Sequence, residues 1–148
     1  MRAVVQRVKS SKVEALGTVV SEIGFGLNVL IGICEGDTED DIKFLRDKIL
    51  NLRIFDENGK MNLSLIDVKG EMLVVSQFTL YGDCRKGRRP NFMRALGGQQ
   101  SEKLYLEFIK QCEEILGDVK TGIFGEDMQV YIQNDGPVTL LLDSKKDF

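Results

Sequence analysis

Three stretches of the chain bring together side chains that could do chemistry. The first is a basic tract, Arg85-Lys86-Gly87-Arg88-Arg89-Pro90-Asn91-Phe92-Met93-Arg94. It contains no carboxylate, so all 23 acids of the chain lie outside it. A cationic loop on an acidic body is a local footprint for an anion such as phosphate rather than a general nucleic-acid coat. The same tract also reads as a plain solvated loop. The second stretch is Ser76-Gln77-Phe78-Thr79-Leu80, which follows the apolar run Met72-Leu73-Val74-Val75. Hydroxyls and an amide at a strand end suit the mouth of a pocket, or are simply a satisfied polar end. Thr79 is a possible nucleophile but has no base near it in sequence. The third stretch is Asn134-Asp135-Gly136-Pro137-Val138-Thr139. Its residue types predict a hairpin turn. Pro137 has no N–H, so the Gly-Pro pair offers backbone carbonyls.

What is missing narrows the chemistry further. The chain has no histidine and no tryptophan. A Ser-His-Asp triad, a Cys-His pair and a His-liganded zinc are therefore excluded. A general base must be a carboxylate, a lysine, a terminal amine or a group on the substrate. Cys34, Cys84 and Cys112 are widely spaced and form no Cys-x-x-Cys pair, which predicts reduced thiols in a cytosolic protein. Cys84, beside the basic tract, reads as a surface thiol. Glu39, Asp40 and Asp41 read as helix-start charge rather than metal ligands. With 43% apolar and 29% charged residues and a net charge of -3, the chain is globular in composition. No apolar run is long enough to span a membrane, and the charged N-terminal segment argues against secretion. The 148 residues predict one domain, 1–148.

The elements that must position these residues follow from periodicity. Residues 3–8 and 13–20 alternate as two strands, and residues 27–33 form a nearly continuous apolar run suited to a buried central strand. Thr38 caps a helix over 38–52, with Ile42, Leu45, Ile49 and Leu52 on its buried stripe. Residues 53–55 form a short strand and 56–59 a turn, while 61–67 fit neither class. Residues 71–80 contain a buried strand, and a polar loop covers 81–100. Ser101 caps a second helix ending at Leu116 before Gly117, with Leu104, Phe108, Cys112 and Ile115 inward. Strands are predicted at 119–124, 128–133 and 138–142, and Met61 and Met128 read as core fillers. The fold class is mixed α/β, rich in strands, with two main helices.

Taken together, Gln6-Arg7-Val8, Ser76-Gln77-Phe78-Thr79-Leu80 and Asn134-Asp135-Gly136-Pro137-Val138-Thr139 resemble the D-aminoacyl-tRNA deacylase family, also called D-tyrosyl-tRNA deacylase. The likeness covers essentially the whole chain, with no departure in the motifs. It implies a homodimer of a three-layer α/β/β fold with active sites at the subunit interface. It implies that Gly136-Pro137 is a cis peptide inserted by one subunit into the pocket of the other. Arg7 would hold that loop, and Ser76, Gln77, Phe78 and Thr79 would form the opposing catalytic wall. The implied substrate is a D-amino acid esterified to the terminal adenosine of tRNA, and the reaction is ester hydrolysis in the cytoplasm. The resemblance implies no cofactor and no metal.

An aminoacyl ester is already activated, and the neighbouring ribose hydroxyl can help activate water, so a hydrolase without histidine is chemically reasonable. The protein would then supply positioning and oxyanion stabilisation, with the N–H groups of Phe78 and Thr79 as donors and Thr79 as a positioning residue rather than a nucleophile. Carbonyls of Gly136 and Pro137 would hold the substrate ammonium, so that an L side chain meets the Gly-Pro backbone while D-amino acids and glycine pass. Arg85, Lys86, Arg88 and Arg89 would contact tRNA phosphates. A non-enzymatic RNA-binding module would explain the basic tract but not the polar strand end.

Overall fold

In a computed structural model that describes residues 1–148, the alternating apolar residues of the N-terminal segment form one long strand, β1 (Arg2–Ala15). The sequence predicts a break near Lys9-Ser10-Ser11-Lys12. The strand runs through because its polar middle finds tertiary partners. The buried Ser11 hydroxyl is shared between Asn28 Oδ1 at 3.1 Å and the Tyr131 carbonyl at 2.8 Å. A satisfied hydroxyl removes the desolvation penalty that would otherwise expel this segment from the sheet.

The other strands are β2 (Thr18–Ile23), β3 (Gly26–Gly32), β4 (Phe55–Glu57), β5 (Lys60–Leu63), β6 (Glu71–Ser76), β7 (Lys120–Thr121) and β8 (Met128–Asp143). The helices are α1 (Glu39–Asn51), the short α2 (Leu65–Val68) and α3 (Gly98–Leu116). β1 changes neighbours at its middle. Arg2 to Val8 pair antiparallel with β3, and Ser11 to Ala15 pair antiparallel with β2. β8 runs antiparallel along the other side of β1 for its whole length. β3 and β6 are parallel, as are β6 and β7. β4 and β5 form a separate hairpin.

Three layers result. α1 and α3 cover one face of the sheet, where Val5, Leu27, Val29 and Ile31 meet Ile42, Leu45, Ile49, Phe108 and Cys112. On the other face Val8, Val13 and Ile23 pack on Leu73 and Val75, and the first half of β8 closes over them through Met128, Val130 and Ile132. The Ser21 hydroxyl donates to the Thr121 carbonyl at 2.6 Å and ties β2 to β7. Each fully buried Leu, Ile or Phe in these layers contributes roughly 1.5–3 kcal/mol. The architecture is the mixed α/β fold expected, with two main helices.

Several boundaries differ from expectation. α3 starts earlier, at Gly98, and Ser101 is buried inside it rather than capping it. On that helix Tyr105 and Ile109 are buried with Phe108 and Cys112, whereas Ile115 is exposed. Met61 is also exposed, on the small β4–β5 hairpin. The strand expected over 119–124 shrinks to β7. The turn expected at 134–137 does not interrupt β8, which passes through it as a bulge. No helix is long and apolar enough to cross a membrane.

Candidate functional site

The bulge in β8 is defined by its register. Asn134 lies opposite Val8 and Thr139 opposite Gln6, so residues 135–138 face Arg7 alone. Extra residues on one strand of an antiparallel pair must leave the plane of the sheet. Asn134 fastens the base of the excursion. Its Nδ2 donates to the Arg7 carbonyl at 2.8 Å and to the Val138 carbonyl at 3.0 Å, and its Oδ1 accepts from Thr139 Oγ1 at 3.2 Å. Gln6 Nε2 donates to Thr139 Oγ1 at 3.3 Å.

The Arg7 side chain supports the tip of the bulge. Its Nη1 donates to the Ile54 carbonyl at 2.5 Å, and its Nε lies 2.9 Å from Asp135 Oδ2. The second contact is an ion pair rather than an aligned hydrogen bond, since Nε makes no bond of good geometry. Gly136 has φ +115°, and a Cβ there would lie 2.9 Å from Val138 Cγ2 and 3.0 Å from Arg7 Nη2. Only glycine fits both the backbone conformation and the space. The Gly136–Pro137 bond is cis, and both residues are exposed.

The second motif lies beyond the end of the parallel pair β3–β6. Past Ser76 the chain turns into a 3₁₀ turn, Phe78–Tyr81. The Gln77 N–H donates to the Ile31 carbonyl at 2.7 Å, which fixes where the turn begins. Gly32 of β3 lets the turn sit close, since a Cβ there would come within 3.0 Å of the Gln77 carbonyl and of Leu80 Cβ. Leu80 N–H bonds back to Gln77, but the N–H groups of Phe78 and Thr79 make no hydrogen bond within the chain. That follows from their place in the first turn of a helix. Thr79 is exposed, and its hydroxyl accepts from Gln77 Nε2 at 2.6 Å. Beneath the turn Tyr81 is buried, and burial pushes its phenol far above the usual range. Burial likewise raises the Cys34 thiol.

Ser76, Gln77 and Phe78 line a cavity of about 630 Å³, together with Phe92, Phe124 and Met128 among others. Phe78 and Phe92 meet edge to face at 5.2 Å between ring centres. None of residues 134–139 lines this cavity. Within one chain, therefore, the two motifs do not meet. They lie toward opposite ends of the first half of β1, where Arg2 bonds the Leu80 carbonyl and Arg7 supports the bulge.

Most of the basic tract, residues 85–90, is a short excursion between Asp83 and Asn91, whose backbones exchange hydrogen bonds of 2.8 and 3.0 Å. Phe92, in the last part of the tract, joins it to the cavity wall. Arg85 is neutralised by Asp83 at 2.8 and 2.5 Å, and these bonds hold the Asp83 carboxyl well below the usual carboxylate range. Arg94 pairs with Asp147 at 2.9 Å. Lys86, Arg88 and Arg89 are exposed and have no ion-pair partner.

Three participants escape a reading of the sequence. Asp83 is separated from the tract only by Cys84, and an acid two residues before an arginine was a usable signal. Asn134 belongs to its motif but looks like an ordinary turn residue. Arg2 gives no local signal, because its partners lie far along the chain. No group of His, Cys, Asp or Glu side chains is arranged to hold a metal ion.

A profile of the D-Tyr-tRNA(Tyr) deacylase family matches residues 4–143. The chain is 68% identical over 149 aligned positions to the D-aminoacyl-tRNA deacylase of Clostridium tetani, and 62% identical to that of Clostridium kluyveri. Both alignments cover all of both chains. Among solved structures it is similar to one described as c-Myc DNA Unwinding Element Binding Protein. The TM-score is 0.91 at 45% identity, over 97% of this chain and 98% of that one. A structure described as "a probable eukaryotic D-amino acid tRNA deacylase" has the same fold, with a TM-score of 0.83 at 20% identity over 95% of this chain and 97% of that one.

Proposed function

Since the chain belongs to the D-Tyr-tRNA(Tyr) deacylase family and hydrolyses the ester of D-aminoacyl-tRNA, we propose how its two motifs share the reaction between two subunits. The wall of Ser76, Gln77, Phe78 and Thr79 in one subunit faces the Gly136-Pro137 bulge of a second copy. The terminal adenosine enters the cavity, and the ester carbonyl lies over the wall. The ribose hydroxyl beside the ester assists water as it attacks the carbonyl carbon. The carbonyl oxygen gathers negative charge, and the N–H groups of Phe78 and Thr79 receive it. The carbon–oxygen bond to the ribose then breaks, the ribose oxygen takes a proton, and free tRNA and D-amino acid leave.

Thr79 positions and does not attack. The Gln77 amide beside its hydroxyl is not a base, and a hydroxyl needs one to become a nucleophile. Carbonyls of the bulge hold the substrate ammonium, and its backbone blocks an L side chain. Glycyl-tRNA therefore also turns over. Lys86, Arg88 and Arg89 take phosphates of the acceptor end, and Arg85 contributes less because Asp83 already holds it. The protein works in the cytoplasm, where its substrate is made.

The observation that carries this reading is the Arg7-supported bulge, which exposes the Gly136-Pro137 backbone yet lines no part of its own chain's cavity. The outer edge of β8 is free for a second copy, because β8 pairs only with β1. Complementation tests the sharing. Gly136→Ala damages the bulge, and Phe78→Ala damages the wall. Each variant alone should be nearly inactive on D-tyrosyl-tRNA. After subunit exchange in an equal mixture, half the dimers are mixed and each holds one intact site, so about a quarter of wild-type activity returns. A mixture no more active than its parts, with exchange verified, would contradict a shared site.

A further inference from the structure

We propose that Arg2 is a positioning residue for ester hydrolysis, gripping the 3₁₀ turn Phe78–Tyr81 at Leu80 and Tyr81 and held there by the C-terminal tail. This rests on reading that turn as the reactive wall. Arg2 Nη1 donates to the Leu80 carbonyl at 3.0 Å, inside the turn itself. Its guanidinium lies over the Tyr81 ring, 4.6 Å from the ring centre. The opposite side of the guanidinium is served by the tail. Nε donates to Asp143 Oδ2 at 2.9 Å, Nη2 reaches Asp147 Oδ2 at 3.4 Å, and the Phe148 ring centre lies 5.2 Å away. The Arg2 side chain is 18% exposed, and Asp143 is buried.

The arrangement over-determines one guanidinium plane. A planar fork with a carboxylate on one edge and aromatic rings nearby loses most of its freedom. Its remaining donor then fixes a single carbonyl, and the carbonyl fixes the turn. Gly32 supplies the floor against which the turn is pressed, with a hypothetical Cβ already 3.3 Å from Tyr81 Cδ2. Otherwise the turn has the Gln77–Ile31 bond at its start and the bonds of Leu80 N–H to Gln77 and Gly82 N–H to Thr79, and its Phe78 and Thr79 N–H groups must point at a charge that exists only in the transition state. Asp147 also bonds Arg94, so the same tail carboxylate braces the base of the basic tract.

The test compares Arg2→Ala and Asp147→Asn with wild type, using D-tyrosyl-tRNA turnover, thermal melting and the amide resonances of Phe78 and Thr79. Arg2→Ala should lower kcat by about tenfold or more, the size of one lost charge-assisted hydrogen bond, with KM within about twofold. The two amide resonances should move, and millimolar guanidinium should restore part of kcat without raising the melting temperature. Asp147→Asn, on the exposed side of the grip, should shift the same resonances in the same direction with a smaller loss of kcat. It provides the answer if Arg2→Ala fails to fold. Unmoved resonances overturn the role of Arg2. Moved resonances with full turnover overturn the proposal through its premise, by removing the turn from the reaction. A loss in KM alone, or a loss that guanidinium leaves untouched, reassigns Arg2 to binding or to the fold.

Discussion

Replacing Arg7 by methionine keeps most of the side-chain volume but removes the guanidinium that supports the β8 bulge. Two contacts disappear. The Ile54 carbonyl loses a charged donor at 2.5 Å, and Ile54 is buried, so water does not replace it fully. A charge-assisted hydrogen bond of this kind is worth about 1.5–3 kcal/mol. The ion pair to Asp135 is partly exposed and adds about 0.5 kcal/mol after screening. The sum is about 2–3.5 kcal/mol, and it acts on the bulge. For a chain of this size it should lower the melting temperature by roughly 4–14 °C. If the bulge must hold its shape for the reaction, the same energy lowers turnover by roughly 30- to 400-fold. Arg7→Lys can satisfy Ile54 or Asp135 but not both, so it should lose about fivefold. The assay is single-turnover loss of the D-tyrosyl ester, with urea unfolding run in parallel. A stability loss of the expected size with turnover kept within twofold of wild type would refute the link between Arg7, the bulge and the reaction.

Three other predictions concern the periphery. Neutralising Lys86, Arg88 and Arg89 together should reduce the salt slope of tRNA binding by about two to three, whereas Arg85→Gln should barely change it; a reduction of about one from Arg85→Gln would show that Asp83 does not neutralise Arg85. Native protein should react with a thiol reagent at Cys84 only, because Cys34 is buried and the buried Cys112 thiol is pushed up to about 12; mass spectrometry showing early labelling of Cys112 would contradict its packing. For Asp41, burial alone would raise the carboxyl, but hydrogen bonds from Lys145, Ser144 and Thr38 outweigh it and hold the group far below the usual range. Its stabilising effect is therefore present above the ordinary aspartate value of about 3.9 and lost as pH falls through the folded value. Asp41→Asn should cost about 1–3 kcal/mol near neutral pH, and its gap from wild type should close in strong acid; a gap independent of pH would show that the charge is immaterial.

The sequence discloses those parts of the fold that are dictated locally. β3, β6 and α1 stand out because a continuous apolar run or a helical stripe needs no knowledge of the partner. The continuity of β1 was hidden because Lys9-Ser10-Ser11-Lys12 is polar, and only the fold supplies Asn28 and Tyr131 to Ser11. Asn134-Asp135-Gly136-Pro137 looked like a turn for sound reasons. Whether such residues reverse a chain or bulge out of it depends on register with a strand more than a hundred residues away. Residue types place the start of α3 too late because Ser101 is a better cap by type than Gly97, yet the helix begins at Gly98 and holds Ser101 buried inside it. The candidate site residues are legible as motifs, since Ser76, Gln77, Phe78, Thr79, Gly136 and Pro137 are contiguous groups. Arg2 acts through tertiary contacts and leaves no local pattern, and Asn134, although inside its motif, reads as an ordinary turn residue.

On the proposed reading this chain removes D-amino acids from tRNA and spares L-amino acids through the Gly136-Pro137 backbone. The most direct test is a matched pair of substrates, D-tyrosyl-tRNA and L-tyrosyl-tRNA, with ester loss followed against a reaction lacking the protein. Rapid loss of the D-ester with the L-ester at its spontaneous rate is the predicted result. Loss of both esters at similar rates would keep the hydrolase and contradict the steric role of Gly136-Pro137. Loss of neither would contradict the account as a whole.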